Sequence, residues 1–321
     1  MKLVTENIDL KEYVSLTAAF SFKKIKPEVT IQEDKLKNEF LGKTYYEYLT
    51  TDPDPALTAE EEEKRQEIIE KCRAIIINKT FGTAIDIIQV SISDTGVQRN
   101  EDTSKKSAYK YQKEEARQYL LRNALIAIDQ LLVLLSDEAN WDAAIITSKS
   151  LLIKDYQAFD KLAPIDNSPL TFQALISYLD YIENLTIVDT VGYDFLENIA
   201  EKEEPNSDEK TVLKHLRIAL ANLTLAEAMN HIPVVIENNS VSVITKSTEN
   251  ETKTPADQEQ FQRKFYSLKS IGNNSLMRAK RYLDKNAKET LFPIYYDSDY
   301  YSPLGGDADY EQNEDSNIYL G

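Results

Sequence analysis

Glycine is scarce in this chain, at 8 residues of 321. That leaves little room for the glycine-rich loops that cradle phosphates. A single cysteine, Cys72, cannot form an internal disulfide, and no histidine signature lies near it, so it reads as a small apolar core residue rather than a nucleophile. The only histidines, His215 and His231, stand sixteen residues apart at what reads as the start and end of one helix. They cannot share a metal through the usual i, i+4 arrangement. No sequence of the type G-x-S-x-G or H-E-x-x-H occurs, and Asp307-Ala308-Asp309, which opens like a calcium loop, has Gln312 and Ile318 where that loop needs Gly and Glu. The expectation is therefore a protein that is not an enzyme, with no cofactor and no metal.

Positive charge is also short. With 37 basic and 54 acidic residues the formal net charge is −17, and no Lys/Arg run is long enough to neutralise a series of phosphates. Sequence-specific binding of nucleic acid is not expected. The first residues, MKLVTENIDLKEYV, carry Glu6, Asp9, Lys11 and Glu12, which leaves no apolar stretch for a signal peptide or membrane anchor. This reading places the protein in the cytosol, away from membranes.

What is plentiful is the helix-forming set of Leu, Ile, Ala, Glu and Lys, in a chain long enough for two ordinary domains. Three internal matches keep their order. Leu41-Gly42-Lys43-Thr44-Tyr45-Tyr46-Glu47-Tyr48-Leu49 aligns with Val191-Gly192-Tyr193-Asp194-Phe195-Leu196-Glu197-Asn198-Ile199. Residues 73–97 align without a gap on 217–241, pairing Asn78 with Asn222, Thr80 with Thr224 and Ala84 with Ala228. Finally Asn123, Leu125 and Leu132 align with Asn274, Leu276 and Leu283. Ordered matches of this kind point to an internal duplication. The fold expected is mainly α, with two tandem helical units at 1–150 and 151–290, each carrying a short β-hairpin arm, and an extended tail at 291–321.

Within the first unit, Thr58-Ala59-Glu60-Glu61 after the DPDP break offers a capping box for a long helix whose apolar positions, from Ile68 to Ile88, cover more than one stripe. Val90 and Ile92 then alternate with serines before Asp94-Thr95-Gly96, and a strongly periodic helix runs from Tyr109 to Leu135. The tail holds six tyrosines and no Lys or Arg, and shows no helical period, so no core is expected in it. Its concentration of rings suggests an assembly arm, with Tyr295, Tyr296, Tyr300, Tyr301, Ile318, Tyr319 and Leu320 as the candidate interface.

Phe20-Ser21-Phe22-Lys23-Lys24-Ile25-Lys26-Pro27, followed by the helix ending in residues 40–49, the strand Val90 to Val97 and the helix Tyr109 to Leu135, resembles a helical family of head–tail connector, or adaptor, proteins from tailed phages and prophages of gut bacteria, of the crAss-like type. The second half keeps Phe159-Asp160-Lys161-Leu162 and residues 172–181 but has Asn238-Asn239-Ser240 in place of the Asp-Thr-Gly turn. The resemblance implies a virion structural protein. It would be a ring homo-oligomer, a dodecamer if it follows the portal, that contacts the portal and neighbouring tail or ring proteins. It would be found in the host cytoplasm during assembly and then in the virion, around an acidic channel for DNA passage. No catalytic residue comes with it. The alternative is a cytosolic helical interaction scaffold outside any virion.

Overall fold

The computed structural model describes residues 2–5, 10–14, 21–51, 57–86, 90–93, 96–99, 110–232, 234–237, 240–243 and 255–303. The chain is mainly α, and its residues group into two compact units: Met1–Ser148 with Asp155–Ile176 and His231–Glu259, and Lys149–Lys154 with Ser177–Asn230 and Gln260–Gly321.

The first unit is built on α3, Ala59–Ala84, which begins at the capping box. The Thr58 hydroxyl accepts the Glu61 N–H at 3.3 Å, and the Glu61 carboxylate accepts the Thr58 N–H at 2.8 Å. The Thr58 hydroxyl also donates to that carboxylate at 2.8 Å, and the two donations, the backbone N–H first and the hydroxyl second, hold the Glu61 carboxyl below the usual carboxylate range. Ile68, Ile69, Cys72, Ile75, Ile76 and Ile77 are all buried, so α3 has apolar neighbours on several sides, as its broad apolar pattern requires. Its main partner is α4, Lys110–Ser136, which runs antiparallel: Lys64 pairs with Glu138 at 2.8 Å, Lys71 donates to Gln130 at 2.8 Å, and Gly82 lies against Leu121. Tyr111–Ser136 is long and apolar enough to cross a membrane. In this unit its Ala124, Ile128, Leu131, Leu132 and Leu135 are buried.

Ahead of α3 lie α1, Lys26–Leu36, a π-helical turn at Lys37–Leu41, and α2, Gly42–Thr50. The wider π turn ends at Gly42, whose φ of +71° is open to glycine and strained for other residues. Trp141, beyond α4, donates its indole N–H to the Phe40 carbonyl at 2.7 Å and is itself buried. A two-stranded antiparallel hairpin, β1 Val90–Ser93 and β2 Gly96–Arg99, lies between α3 and α4 in sequence, with Val90 opposite Arg99 and Ser93 opposite Gly96. Further along the chain, α5 spans Tyr156–Asp160, and Phe159 packs edge-on against Phe172 of α6, Pro169–Ile182.

The second unit takes up most of the chain after α6. After α6 come a π-helical turn at Glu183–Ile187, α7 at Val188–Val191, and Gly192 with φ +84°, which opens α8, Tyr193–Ala200. The central helix is α9, Ser207–His231, with Val212, Leu216, Ala219 and Leu220 buried. It is followed in sequence by a second antiparallel hairpin, β3 Val234–Glu237 and β4 Ser240–Val243, whose residues group with the first unit, then by α10, Pro255–Asn286. The shift that carries Asn78 to Asn222 also carries Val90 to Val234 and Gly96 to Ser240. In both units the asparagine side chain donates to a carbonyl one turn back, at 2.8 Å to Ala74 and 2.9 Å to Ile218. Thr80 and Thr224 are both fully buried with hydroxyls that have no partner among the described residues. The close approach of the two long helices is kept by opposite means. Gly82 of α3 receives Leu121 of α4, whereas Gly272 of α10, aligned with Leu121, receives Leu223 of α9.

The tail expectation needs correction at its start. Lys288 and Leu291 exchange main-chain hydrogen bonds of 2.8 and 2.9 Å, which reverse the chain after α10. A short helix follows, α11 at Pro293–Tyr296. Phe292 and Tyr295 are buried and both pack against Phe195 of α8, at ring-centroid distances of 5.8 and 5.3 Å. Residues 291–303 thus contribute to a core. Aromatic side chains on one short turn fill it, with no need of a helical period. Residues 304–321 lie outside the described residues.

Candidate functional site

Of the tyrosines nominated from sequence, Tyr295 is spent inside the second unit. Its hydroxyl donates to Asp284 Oδ1 at 2.7 Å, and Lys280 donates to that hydroxyl at 2.5 Å and to Asp284 at 2.8 Å. Asp284 also accepts the Ser302 N–H at 3.1 Å. This buried carboxylate therefore fastens residues 295–302 to α10. Tyr295 is accordingly withdrawn as an interface residue. Tyr296 and Tyr301 are half-buried and tilt against each other at 5.0 Å. Tyr300 is exposed, with its ring over Gly192. Ile318, Tyr319 and Leu320 lie outside the described residues.

Exposed apolar side chains recur at aligned places. Ile31 and Tyr181, related by the shift that carries Gly42 to Gly192, are 47% and 52% exposed. Ile126 and Met277, related by the shift that carries Asn123 to Asn274, are both 48% exposed. Scattered surface hydrophobics are ordinary, and these two positions are open in both units.

Sequence reasoning missed an arrangement that the structure makes twice. In the first unit, Glu33 of α1 accepts the Leu3 N–H at 2.5 Å while Arg73 of α3 donates its Nε–H to the Leu3 carbonyl at 3.0 Å. In the second, Glu183 accepts the N–H groups of Leu151 and Leu152 at 2.8 and 3.3 Å, and Arg217 of α9 donates to the Leu152 carbonyl at 3.0 Å. Each clamp fixes a short segment by its main chain and seats its apolar side chains: Leu3 and Val4, then Leu152 and Ile153, are buried. Both carboxylates are buried as well. The signal available in sequence was the alignment of Glu33 with Glu183 and Arg73 with Arg217, charged residues inside otherwise apolar helical faces.

Two open clefts lie among the described residues. One, of about 370 Å³ in the first unit, is lined by Glu67, Lys71, Asp129 and Ser168 among others. Asp129 there accepts the Ser168 hydroxyl at 2.8 Å and the Leu170 N–H at 3.0 Å, which caps the start of α6. Burial raises its carboxyl above the usual range, against the lowering effect of those two donors. The other, of about 460 Å³ in the second unit, is lined by Asp194, Glu197, Asn198, Glu201, Lys202 and Ile294. Cys72 is buried on α3, and burial pushes its thiol well above the ordinary value, away from nucleophilic use. His215 and His231 both lie on α9; burial first, then the charges of Arg278 and Lys214, lowers the His215 value. Among the described residues no group of three or more His, Cys, Asp or Glu could hold a metal ion.

Comparison with known proteins gives one family match, made twice: the model of a family of unknown function, DUF6712, covers residues 21–148 and again 174–304. No curated protein and no solved structure matches the chain.

Proposed function

We propose that this chain, which belongs to the DUF6712 family and is matched by it over most of its length in two successive segments, is a duplicated, non-catalytic virion structural protein that forms a ring in a phage head–tail connector. In this reading each family match is one helical unit with a hairpin arm. Copies of the chain close head to tail into a ring, as a dodecamer where the portal sets the symmetry, and the ring bridges the portal to the next tail or ring protein. It assembles in the host cytoplasm.

The observation that carries the reading is the pair of exposed apolar positions repeated in both units, Ile31 with Tyr181 and Ile126 with Met277. A chain with two like units, each offering the same apolar positions, is suited to heterologous contacts that propagate around a closed ring. The net charge of −17 supports it further, since an acidic bore lets DNA slide instead of adhering. The connector resemblance supplies the setting.

Sedimentation velocity of the wild type against Ile126→Asp and Met277→Asp tests the proposal. Each variant is expected to remain a folded monomer under conditions where the wild type assembles. Assembly undisturbed by both substitutions would remove these faces from the interface.

A further inference from the structure

The two main-chain clamps differ in one respect. In the second unit both carboxylate oxygens of Glu183 are used: Oε1 accepts the Leu151 N–H, and Oε2 accepts the Ser150 hydroxyl as well as the Leu152 N–H. In the first unit, Glu33 Oε1 accepts the Leu3 N–H and the Tyr46 hydroxyl, at 2.5 and 2.9 Å, while Oε2 is buried with no partner among the described residues. Glu33 is only 2% exposed, so that oxygen cannot be satisfied by bulk water. In the second unit the equivalent oxygen takes the Ser150 hydroxyl, and no side chain of residues 2–4 donates to Glu33 Oε2. The first clamp thus has room for one hydrogen-bond donor more than its present occupant supplies.

We propose that the Glu33–Arg73 clamp is a peptide-docking site. Its preferred occupant is an extended segment of a partner protein with serine two residues ahead of a leucine and a β-branched apolar residue after it, the pattern of Ser150-Leu151-Leu152-Ile153. Residues 2–4 fill the site in its resting form. Arg73 and Glu33 read only the main chain of the clamped leucine, so recognition there is independent of which protein supplies it. The apolar seats of Leu3 and Val4 select the two side chains, and the spare Oε2 selects the serine hydroxyl. A segment with all three features makes one hydrogen bond more than residues 2–4, which lack the third. This site stands apart from the ring assignment, because peptide binding reads neither symmetry nor assembly.

Fluorescence anisotropy on the full chain tests it, with labelled Lys-Ser-Leu-Leu-Ile-Lys as probe and Lys-Ala-Leu-Leu-Ile-Lys as control. In the Leu3→Asp variant, the new charge beside Glu33 expels the resident segment and opens the site. Saturable binding is expected, about tenfold tighter for the serine peptide than for the alanine peptide. Adding Glu33→Gln should erase that preference. If Leu3→Asp loses the helical circular dichroism of the wild type, Leu3→Ala takes its place. A folded variant that shows no saturable binding, or binds both peptides equally, overturns the proposal.

Discussion

Arg217 holds the carbonyl of Leu152 at 3.0 Å as Arg73 holds that of Leu3 at 3.0 Å, and each bond spans a long stretch of the chain. In each unit one guanidinium on the central helix thereby ties down the segment that precedes the first helices. Replacing either arginine by methionine keeps much of the aliphatic stem but removes the donor and leaves a carbonyl in need of a partner. Each substitution should lower unfolding stability by about 1–3 kcal/mol in urea denaturation. The two losses should add, since the arginines share no partner. A double variant that loses much less than the combined single effects would mean that the clamps do not anchor their segments independently.

The two glycines at the π turns separate backbone strain from crowding. Gly42, at φ +71°, has nothing within 4 Å of a would-be Cβ, so Gly42→Ala should cost only the strain of the backbone, about 1–3 kcal/mol. Gly192, at φ +84°, would bring a Cβ to 2.8 Å from the Tyr300 ring. Gly192→Ala should therefore cost more than Gly42→Ala, and Tyr300→Ala in the same chain should recover the excess. Equal costs at the two sites would remove Tyr300 from its place over Gly192.

Burial sets the pH behaviour of Asp129. Its folded-state pKa is raised above the unfolded value, so its proton is bound more tightly in the folded protein. Its stabilising contribution is fully present below the unfolded carboxylate value of about 3.9 and is lost as pH rises through the folded value. Asp129→Asn, uncharged throughout, should therefore gain stability relative to the wild type as pH rises through that window, measured by urea midpoints from about pH 3 to 7. A falling difference would show that the Ser168 and Leu170 donors outweigh burial, and a constant one that they cancel it, and either would contradict the prediction.

Much of the helical framework was legible in the residues. Thr58 and Glu61 announce the start of α3 because a capping box is a local motif, complete within four residues. Asn78 and Asn222 stand out as matched polar residues within long apolar helices, and both make the same bond to the preceding turn. Two things were not legible. Tyr295 reads as part of an acidic tail because its burial depends on Phe195, which is distant in sequence, and on Asp284, which the chain reaches only by reversing after α10. The Leu3 clamp is hidden for a like reason: the alignment of Glu33 with Glu183 and of Arg73 with Arg217 marks the residues, but only the fold brings a main-chain segment between them.

Negative-stain electron microscopy of the full chain, alone and mixed with a portal protein, measures the central claim most directly. The account predicts closed rings of one fixed symmetry, with a central channel and, in the mixture, rings stacked on the portal. Monomers at every concentration in both samples would contradict it.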